Sequence, residues 1–359
     1  MFQKWGIHVK DSRMNRRNSK KPKTWVKRVL FLAILLFLVV ISYGGYLAYQ
    51  AYDAASDSYT DLERPDEKSE RRETAVTIGE EPISILLLGI ENYTTDGKDG
   101  RADTQIVVTL NPKENEMTMT TVPRDTRVEL SNVEQYSGFH KINAAYTYGS
   151  ITGYGANKLA IETVEDLLDI PIDKFIAVDF EGFRDIVDAL DGVTVDIKEP
   201  FWEKNIYNNN QRIYFEKGPK RLNGEESLAF VRMRKRDVNV VYSREERQRQ
   251  FIRAAIDEAI SAGTLFKVGE ISDILGKNVD TNLKPREIYT LQKAYSSIDA
   301  SEIETINIEG TNQMIDGLSY FIPNEGALDT ASIQIKQALG LMEETNTNTD
   351  QSDEEHTTE

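Results

Sequence analysis

The side chains able to do chemistry in this sequence are arginines and carboxylates, and they recur in short clusters: Glu91; Arg101 with Asp103; Arg124 with Asp125; Arg232 with Arg234; Arg244 with Gln248. Cysteine is absent, which removes thiolate nucleophiles, thiolate metal sites and disulfides. His8, His140 and His356 are the whole histidine complement, so a histidine-rich zinc site and most His-dependent triads are excluded by count. Gly97 and Lys98 lack the spacing of a nucleotide-binding loop, and no GxGxxG occurs. Arginines converging with carboxylates suit a polyanion: the guanidinium matches phosphate oxygens with two parallel hydrogen bonds, and carboxylates hold a hard cation that the phosphates share. The set points to a phosphate or pyrophosphate site with Mg²⁺ as its ion.

Such a site needs elements that bring the clusters together. Residues 83–88 (ISILLL) form a continuous apolar run, as a strand buried on both faces would. Residues 105–110 (QIVVTL) and 117–122 (MTMTTV) follow, joined by the polar turn NPKENE. If these three strands run antiparallel in order, the end of the first, the start of the second and the end of the third share one sheet edge. Glu91, Arg101, Asp103, Arg124 and Asp125 then meet there, where ligands sit in α/β sheets. Arg232 and Arg234 fall on one face if their segment is extended. A helix over residues 243–262 opens with Ser243 and Glu246 at capping-box spacing. Its apolar stripe through Phe251, Ile252, Ala255 and Ala259 extends backwards to Gln248 and Arg244, with Arg247 on the adjoining flank and Arg249 facing away. Helices and strands alternate after residue 159, so the expected fold is a three-layer α/β/α domain around a mixed sheet.

The chain of 359 residues is 40% hydrophobic and carries a net charge of −16. That charge hides a split: residues 1–28 hold ten Lys and Arg against Asp11 alone. From residue 29 to 52 no side chain is charged, and as a helix this run reaches about 36 Å, enough to cross a bilayer. Tyr43, Tyr46, Tyr49 and Tyr52 mark its far end as an aromatic belt would. The positive-inside rule places the arm in the cytoplasm and the acidic body outside, a single-pass topology at the cell membrane. Nucleic acid is excluded as a partner of that acidic body. A cysteine-free body outside the membrane suits a Gram-positive surface. Residues 53–82 are polar and read as a stalk, 83–342 as the catalytic domain, and 343–359, which ends without apolar residues, as a disordered acidic tail.

Seven stretches together resemble the LytR-CpsA-Psr family: LLLGIE (86–91), GRADT (100–104), VPRDT (122–126), KINAAYTYG (141–149), FRDIVDALDGVTVDI (183–197), LNGEESLAFVRMR (222–234) and SREERQRQ (243–250). The resemblance implies an Mg²⁺-dependent phosphotransferase that moves a teichoic-acid-like or capsular glycopolymer from undecaprenyl pyrophosphate to a peptidoglycan sugar hydroxyl. It implies that Arg101, Arg124, Arg232, Arg234 and Arg244, with Gln248, hold the pyrophosphate, that Glu91 and Asp103 bind Mg²⁺, and that Asp103 or Asp125 serves the acceptor hydroxyl. Phosphoryl transfer needs mainly positioning and charge neutralisation, which this set supplies. Two positions depart from the family pattern: Glu91 stands where Asp is usual, and Val241 where an acid commonly precedes the helix-start Arg, with Asp237 the nearest substitute.

Two other classes fit the same residues: a non-catalytic or regulatory membrane protein that only holds a lipid-linked glycan, and a polyprenyl pyrophosphatase. The polar, aromatic stretch 200–219, with Phe201, Trp202 and Tyr207, is expected to form a hairpin or flap over the glycan.

Overall fold

The computed structural model describes residues 46, 49, 52, 53, 56, 58–93, 99–261, 278–295 and 302–342. The basic arm, most of the apolar run 29–52 and the tail 343–359 lie outside these. Among the described residues no helix is long and apolar enough to cross a membrane.

The elements in chain order are β1 (Ile83–Glu91), β2 (Arg101–Asn111), β3 (Glu116–Thr121), the hairpin β4 (Arg127–Leu130) and β5 (Gly138–Lys141), α1 (Ala144–Thr152), α2 (Ala156–Leu168), β6 (Lys174–Asp179) and α3 (Phe180–Ala189). Then come β7 (Val193–Ile197), β8 (Phe201–Lys204), β9 (Arg212–Phe215), β10 (Gly218–Leu222), α4 (Gly224–Arg232) and α5 (Arg244–Ser261). The last are β11 (Val279–Thr281), α6 (Pro285–Tyr295), β12 (Glu304–Ile306), β13 (Gly310–Ile315), β14 (Leu318–Pro323) and α7 (Ala327–Ala338).

Six strands form one sheet in the order β11-β6-β1-β2-β3-β12. The β1–β2 and β2–β3 pairs are antiparallel while β6 joins β1 and β12 joins β3 in parallel, so the sheet is mixed. Period-two alternation sends Leu86, Leu88, Ile90 and Val107 to one face, where they pack with Leu159, Ile161 and Val164 of α2 and Ala331 and Ile335 of α7. Ile83, Ile85, Ile106, Val108 and Leu110 go to the other face, against Ile252 and Ile256 of α5 and Ile288 and Leu291 of α6. Both faces of β1 are thus covered, as its unbroken apolar sequence requires. A third apolar cluster, with Val193, Phe201, Phe215, Phe230 and Tyr242, ties β7–β10 and α4 to Phe251 of α5.

The strands run further than their apolar cores. Glu91 is the last residue of β1 and Arg101 the first of β2, so these polar groups sit on the ladder itself, opposite each other, and not in loops flanking it. The second correction concerns the segment read as a stalk. From Ser58 to Pro82 the chain lies along the domain: Leu62 enters the core, Arg64 pairs with Glu165 at 2.6 Å, and Arg72 pairs with Asp173 at 2.8 Å. Ser69 donates to the same Glu165 at 2.6 Å. A run rich in charge was read as solvated; here its arginines find buried carboxylates on the domain surface, which gives them a fixed place.

Candidate functional site

The site grows from an irregularity in the β1–β2 ladder. Gly89 pairs with Thr104 and Ile90 with Ala102, so Asp103 has no partner across the ladder and forms a bulge. A bulge re-aims the side chain it carries. Two glycines allow the close approach around it: a Cβ on Gly89 would lie 2.9 Å from the Cβ of Thr104, and one on Gly100 would lie 2.8 Å from the Glu91 carbonyl oxygen. The bulged Asp103 carboxylate accepts from Arg124 in a short ion pair and from Asn143 Nδ2 at 2.9 Å.

Arg124 and Asp125 lie in the turn that follows β3, closed by the Thr126 amide donating to the Pro123 carbonyl at 2.9 Å. Asp125 accepts from Lys141 at 2.8 Å and lies 3.7 Å from Arg124. The antiparallel order of β1, β2 and β3 therefore brings Glu91, Arg101, Asp103, Arg124 and Asp125 to one edge.

Helix α5 delivers the next pair. Ser243 caps it, accepting from the Glu246 amide at 3.1 Å, but Glu246 does not return the bond and reaches Lys198 instead. Arg244 is only 8% exposed; its Nη2 donates to the Asp103 carbonyl at 3.3 Å. One turn on, Gln248 Nε2 donates to Thr104 Oγ1 at 2.9 Å. Both side chains thus clasp the bulge. Burial holds the Arg244 guanidinium below its ordinary range; Glu245, Asp103 and Asp125 oppose that shift while Arg124 adds to it.

Three arginines sit differently from the sequence expectation. Arg247 is fully buried: it donates to the Phe230 carbonyl at 2.7 Å, the Tyr242 carbonyl at 3.3 Å, Asn239 Oδ1 at 2.9 Å and, in a short contact, the Met233 carbonyl. It fastens the C-terminal end of α4, and burial lowers its pKa to about 10. Arg249 does not face away; it reaches Thr121 Oγ1 at 3.5 Å, and burial lowers its pKa against Glu246 and Glu245. Arg232 ends a helix, so the FVRMR segment is not extended throughout. Met233 leaves the helix and buries itself completely, with Arg232 and Arg234 on either side. Burial lowers the Arg232 pKa too, opposed by Glu203, Glu91, Tyr207 and Asp103, so its guanidinium lies within the field of the β1–β2 edge.

Two cavities flank this edge and share Arg234. One of about 380 Å³ is lined by Arg124, Asp125, Arg244 and Arg249 with Asn239, Asn307, Asn312 and Phe321. The other, about 540 Å³, is lined by Trp202, Glu203, Lys204, Arg232, Lys235 and Arg236. Arg101 lines neither and is exposed at the start of β2. A larger cavity of about 820 Å³ lies at the other end of the same strands, beside Pro82 and Asn111. Its Arg71 and Lys336 are already paired with Asp169, so it offers no comparable convergence. Sequence reasoning missed Arg249, Asn307, Asn312 and Phe321. The last three come from the chain around β12–β14, where no charged motif pointed to a site.

A family model, that of the LytR_cpsA_psr family, matches residues 45–337. The chain belongs to the LytR-CpsA-Psr family. Within it, the chain is 40% identical over 326 residues to the polyisoprenyl-teichoic acid–peptidoglycan teichoic acid transferase TagV of Bacillus subtilis strain 168, covering 90% of this chain and 81% of that one. The crystal structure of B. subtilis TagV superposes with a TM-score of 0.63 over 73% of this chain and 98% of that one. The LytR-CPS2A-psr family protein YwtF (TagT) with bound octaprenyl pyrophosphate lipid is 27% identical, with a TM-score of 0.60 over 78% of this chain and 99% of that one.

The departures from the family pattern have places in the structure. Val241 is 73% exposed, and Asp237 is exposed at the start of the 3-10 turn Asp237–Val240. His140 is held by its Nε2 at 2.7 Å from the Tyr136 carbonyl and edge-on to Tyr148. Tyr136, Tyr146 and Tyr148 pack against the core.

Proposed function

We propose that the protein is a transferase that moves a glycopolymer from a polyprenyl pyrophosphate, with undecaprenyl as the lipid, to a hydroxyl of a peptidoglycan sugar. The observation that carries this reading is the gathering of Arg124, Arg234, Arg244 and Arg249 around one cavity beside Asp103 and Asp125. Asp125 and Glu245 line the same cavity, Glu245 lies 3.6 Å from Arg244 and Asp103 pairs with Arg124, so the four guanidiniums keep a positive excess that a pyrophosphate balances. The relatives' names, as teichoic acid transferases, and the octaprenyl pyrophosphate bound to YwtF support the same donor class.

The reaction joins the acceptor hydroxyl oxygen to the phosphorus that carries the glycan, breaks the bond from that phosphorus to the bridging oxygen, and releases polyprenyl phosphate. Arg124, Arg232, Arg234 and Arg244 neutralise the charge spread over the phosphoryl oxygens, and Gln248 holds Thr104 and the bulge in place for them. A bound pyrophosphate competes for Arg124 and so frees Asp103, which takes the hydroxyl proton unless Asp125 does. Arg101, exposed at the rim, meets the donor only as it enters.

Among the described residues no group of three or more His, Cys, Asp and Glu is placed to hold a metal. Glu91 and Asp103, two hard oxygen donors on neighbouring strands, are the residues that would hold Mg²⁺, which takes one or two carboxylates and completes its shell with substrate phosphates and water. When bound there, Mg²⁺ would add charge neutralisation at the same oxygens and, by holding Asp103, would leave the hydroxyl proton to Asp125. The ten-cation arm and the uncharged run behind it support an anchor with the N-terminus in the cytoplasm and the catalytic domain outside.

The test supplies full-length protein with Mg²⁺, a labelled lipid-pyrophosphate glycan and peptidoglycan fragments. Label covalently joined to peptidoglycan is expected. Free phosphorylated glycan would instead make the protein a pyrophosphatase, and unchanged donor would make it a binding protein.

A further inference from the structure

The second cavity carries more charge than the transfer step needs. Its wall presents Lys204, Arg232, Arg234, Lys235 and Arg236 against Glu203 alone, in a chain of net charge −16. Two of these, Arg232 and Arg234, face the sheet edge already described. The other three do not. Lys204 ends β8, and Lys235 and Arg236 follow α4 on the facing segment.

Their arrangement is built. Trp202 sits between two guanidiniums, that of Arg236 at 3.5 Å from the ring centroid and that of Arg212 at 4.2 Å. Stacking on an indole fixes a guanidinium plane while leaving its N–H edge available to an anion. Glu203 approaches Arg236 only to 3.8 Å, too far for a hydrogen bond. The hairpin that carries Trp202 is anchored from below by Phe201 and Phe215, 8% and 1% exposed and stacked at 4.6 Å, so its position does not depend on a ligand. Arg234 lines both cavities, so this wall adjoins the pyrophosphate cluster.

We propose that Lys204, Lys235 and Arg236, the last of them stacked on Trp202, form a subsite for a phosphodiester of the polymer itself, beyond the pyrophosphate. The inference rests on the transferase reading and adds to it the place where a phosphate of the polymer is held; a neutral polysaccharide lacks what this wall binds. A second phosphate held here fixes the direction in which the polymer leaves the reacting phosphorus. It also makes donor recognition salt-dependent in a way the buried cluster alone does not.

The probe is an oligo(glycerol phosphate) of about six repeats carrying neither lipid nor pyrophosphate, titrated calorimetrically into the full-length protein, with a neutral oligosaccharide of equal length as control. Wild type is expected to bind the phosphate oligomer and not the neutral one. Lys204→Gln with Lys235→Gln, both exposed and so removable without loss of core packing, is expected to weaken that binding roughly tenfold and to flatten its salt dependence by about one log unit per log unit of salt. Equal binding by the double variant, or equal binding of the neutral oligomer, overturns the subsite. The transferase reading fails separately: no transfer from any lipid-pyrophosphate donor, with lysine-dependent oligomer binding intact, sinks that reading and leaves the subsite.

Discussion

Arg244 and Arg247 stand three residues apart on α5, both buried, and removing them should have opposite effects. Arg247→Met takes the donors away from the Phe230 and Met233 carbonyls at the end of α4, and from Tyr242 and Asn239. A buried polar group left without a partner costs about 1–3 kcal/mol, so the two helix-end carbonyls alone account for about 4 kcal/mol. Relief from burying a charge and the apolar methionine return about 1 kcal/mol, leaving a loss of about 3 kcal/mol. With a urea m-value of about 2–3 kcal/mol/M, the unfolding midpoint falls by about 1–1.5 M. Arg244→Met removes one long hydrogen bond to the Asp103 carbonyl and a loose pair with Glu245 at 3.6 Å, but also relieves the burial of a charge and the repulsion from Arg124, so stability should move by about 1 kcal/mol or less. Its effect appears in the reaction, because a charged donor aimed at a transition state contributes about 10²–10³ in rate. Urea titration followed by circular dichroism, with transfer measured on the same samples, reads both. The reasoning is refuted if Arg247→Met unfolds at the wild-type midpoint, or if Arg244→Met loses its activity only in step with its stability.

Three further outcomes follow from the same geometry. Asp103→Asn keeps the bond to Asn143 but loses the charge facing Arg124; transfer should fall by at least about 100-fold with the unfolding midpoint unchanged, and near-normal turnover would make the pair purely structural. Glu91→Gln should raise the Mg²⁺ concentration for half-maximal transfer by about tenfold and Glu91→Asp by less, because the shorter acid keeps the hard oxygen; equal Mg²⁺ dependence in wild type and Glu91→Gln would leave the ion to Asp103 and the phosphates. Glu165, 3% exposed, is pushed above the ordinary carboxylate range by burial despite Arg64, so the folded state holds its proton more tightly than the unfolded one. Wild-type stability should therefore fall relative to Glu165→Gln as pH rises from about 4.5 through that raised pKa, and a pH-independent difference in melting temperature would contradict it.

Much of the site was legible because its charged residues lie at the ends of apolar runs. The three-strand reading located the shared edge from ISILLL, QIVVTL and MTMTTV, and the backward extension of the α5 stripe found Arg244 and Gln248. The bulge at Asp103 was not legible: nothing in GRADT distinguishes a paired residue from a displaced one, since the offset arises from Gly89 and Gly100 permitting close contact across the ladder. Arg247 misled for a related reason. Its partners are backbone carbonyls, which leave no trace in side-chain patterning. Arg249 was assigned to solvent on helical angle alone, although the end of β3 passes beside that face. The strap formed by residues 58–82 looked like a stalk because its arginines are polar, whereas their carboxylates, Glu165 and Asp173, lie about a hundred positions further along the chain.

The most direct measurement is a crystal structure of the protein with a polyprenyl pyrophosphate bound. The account places the two phosphates within hydrogen-bonding distance of Arg124, Arg234 and Arg244, with the Arg124–Asp103 pair opened. Phosphates bound elsewhere, with Arg124 still closed on Asp103 and the cavity between them empty, would contradict it.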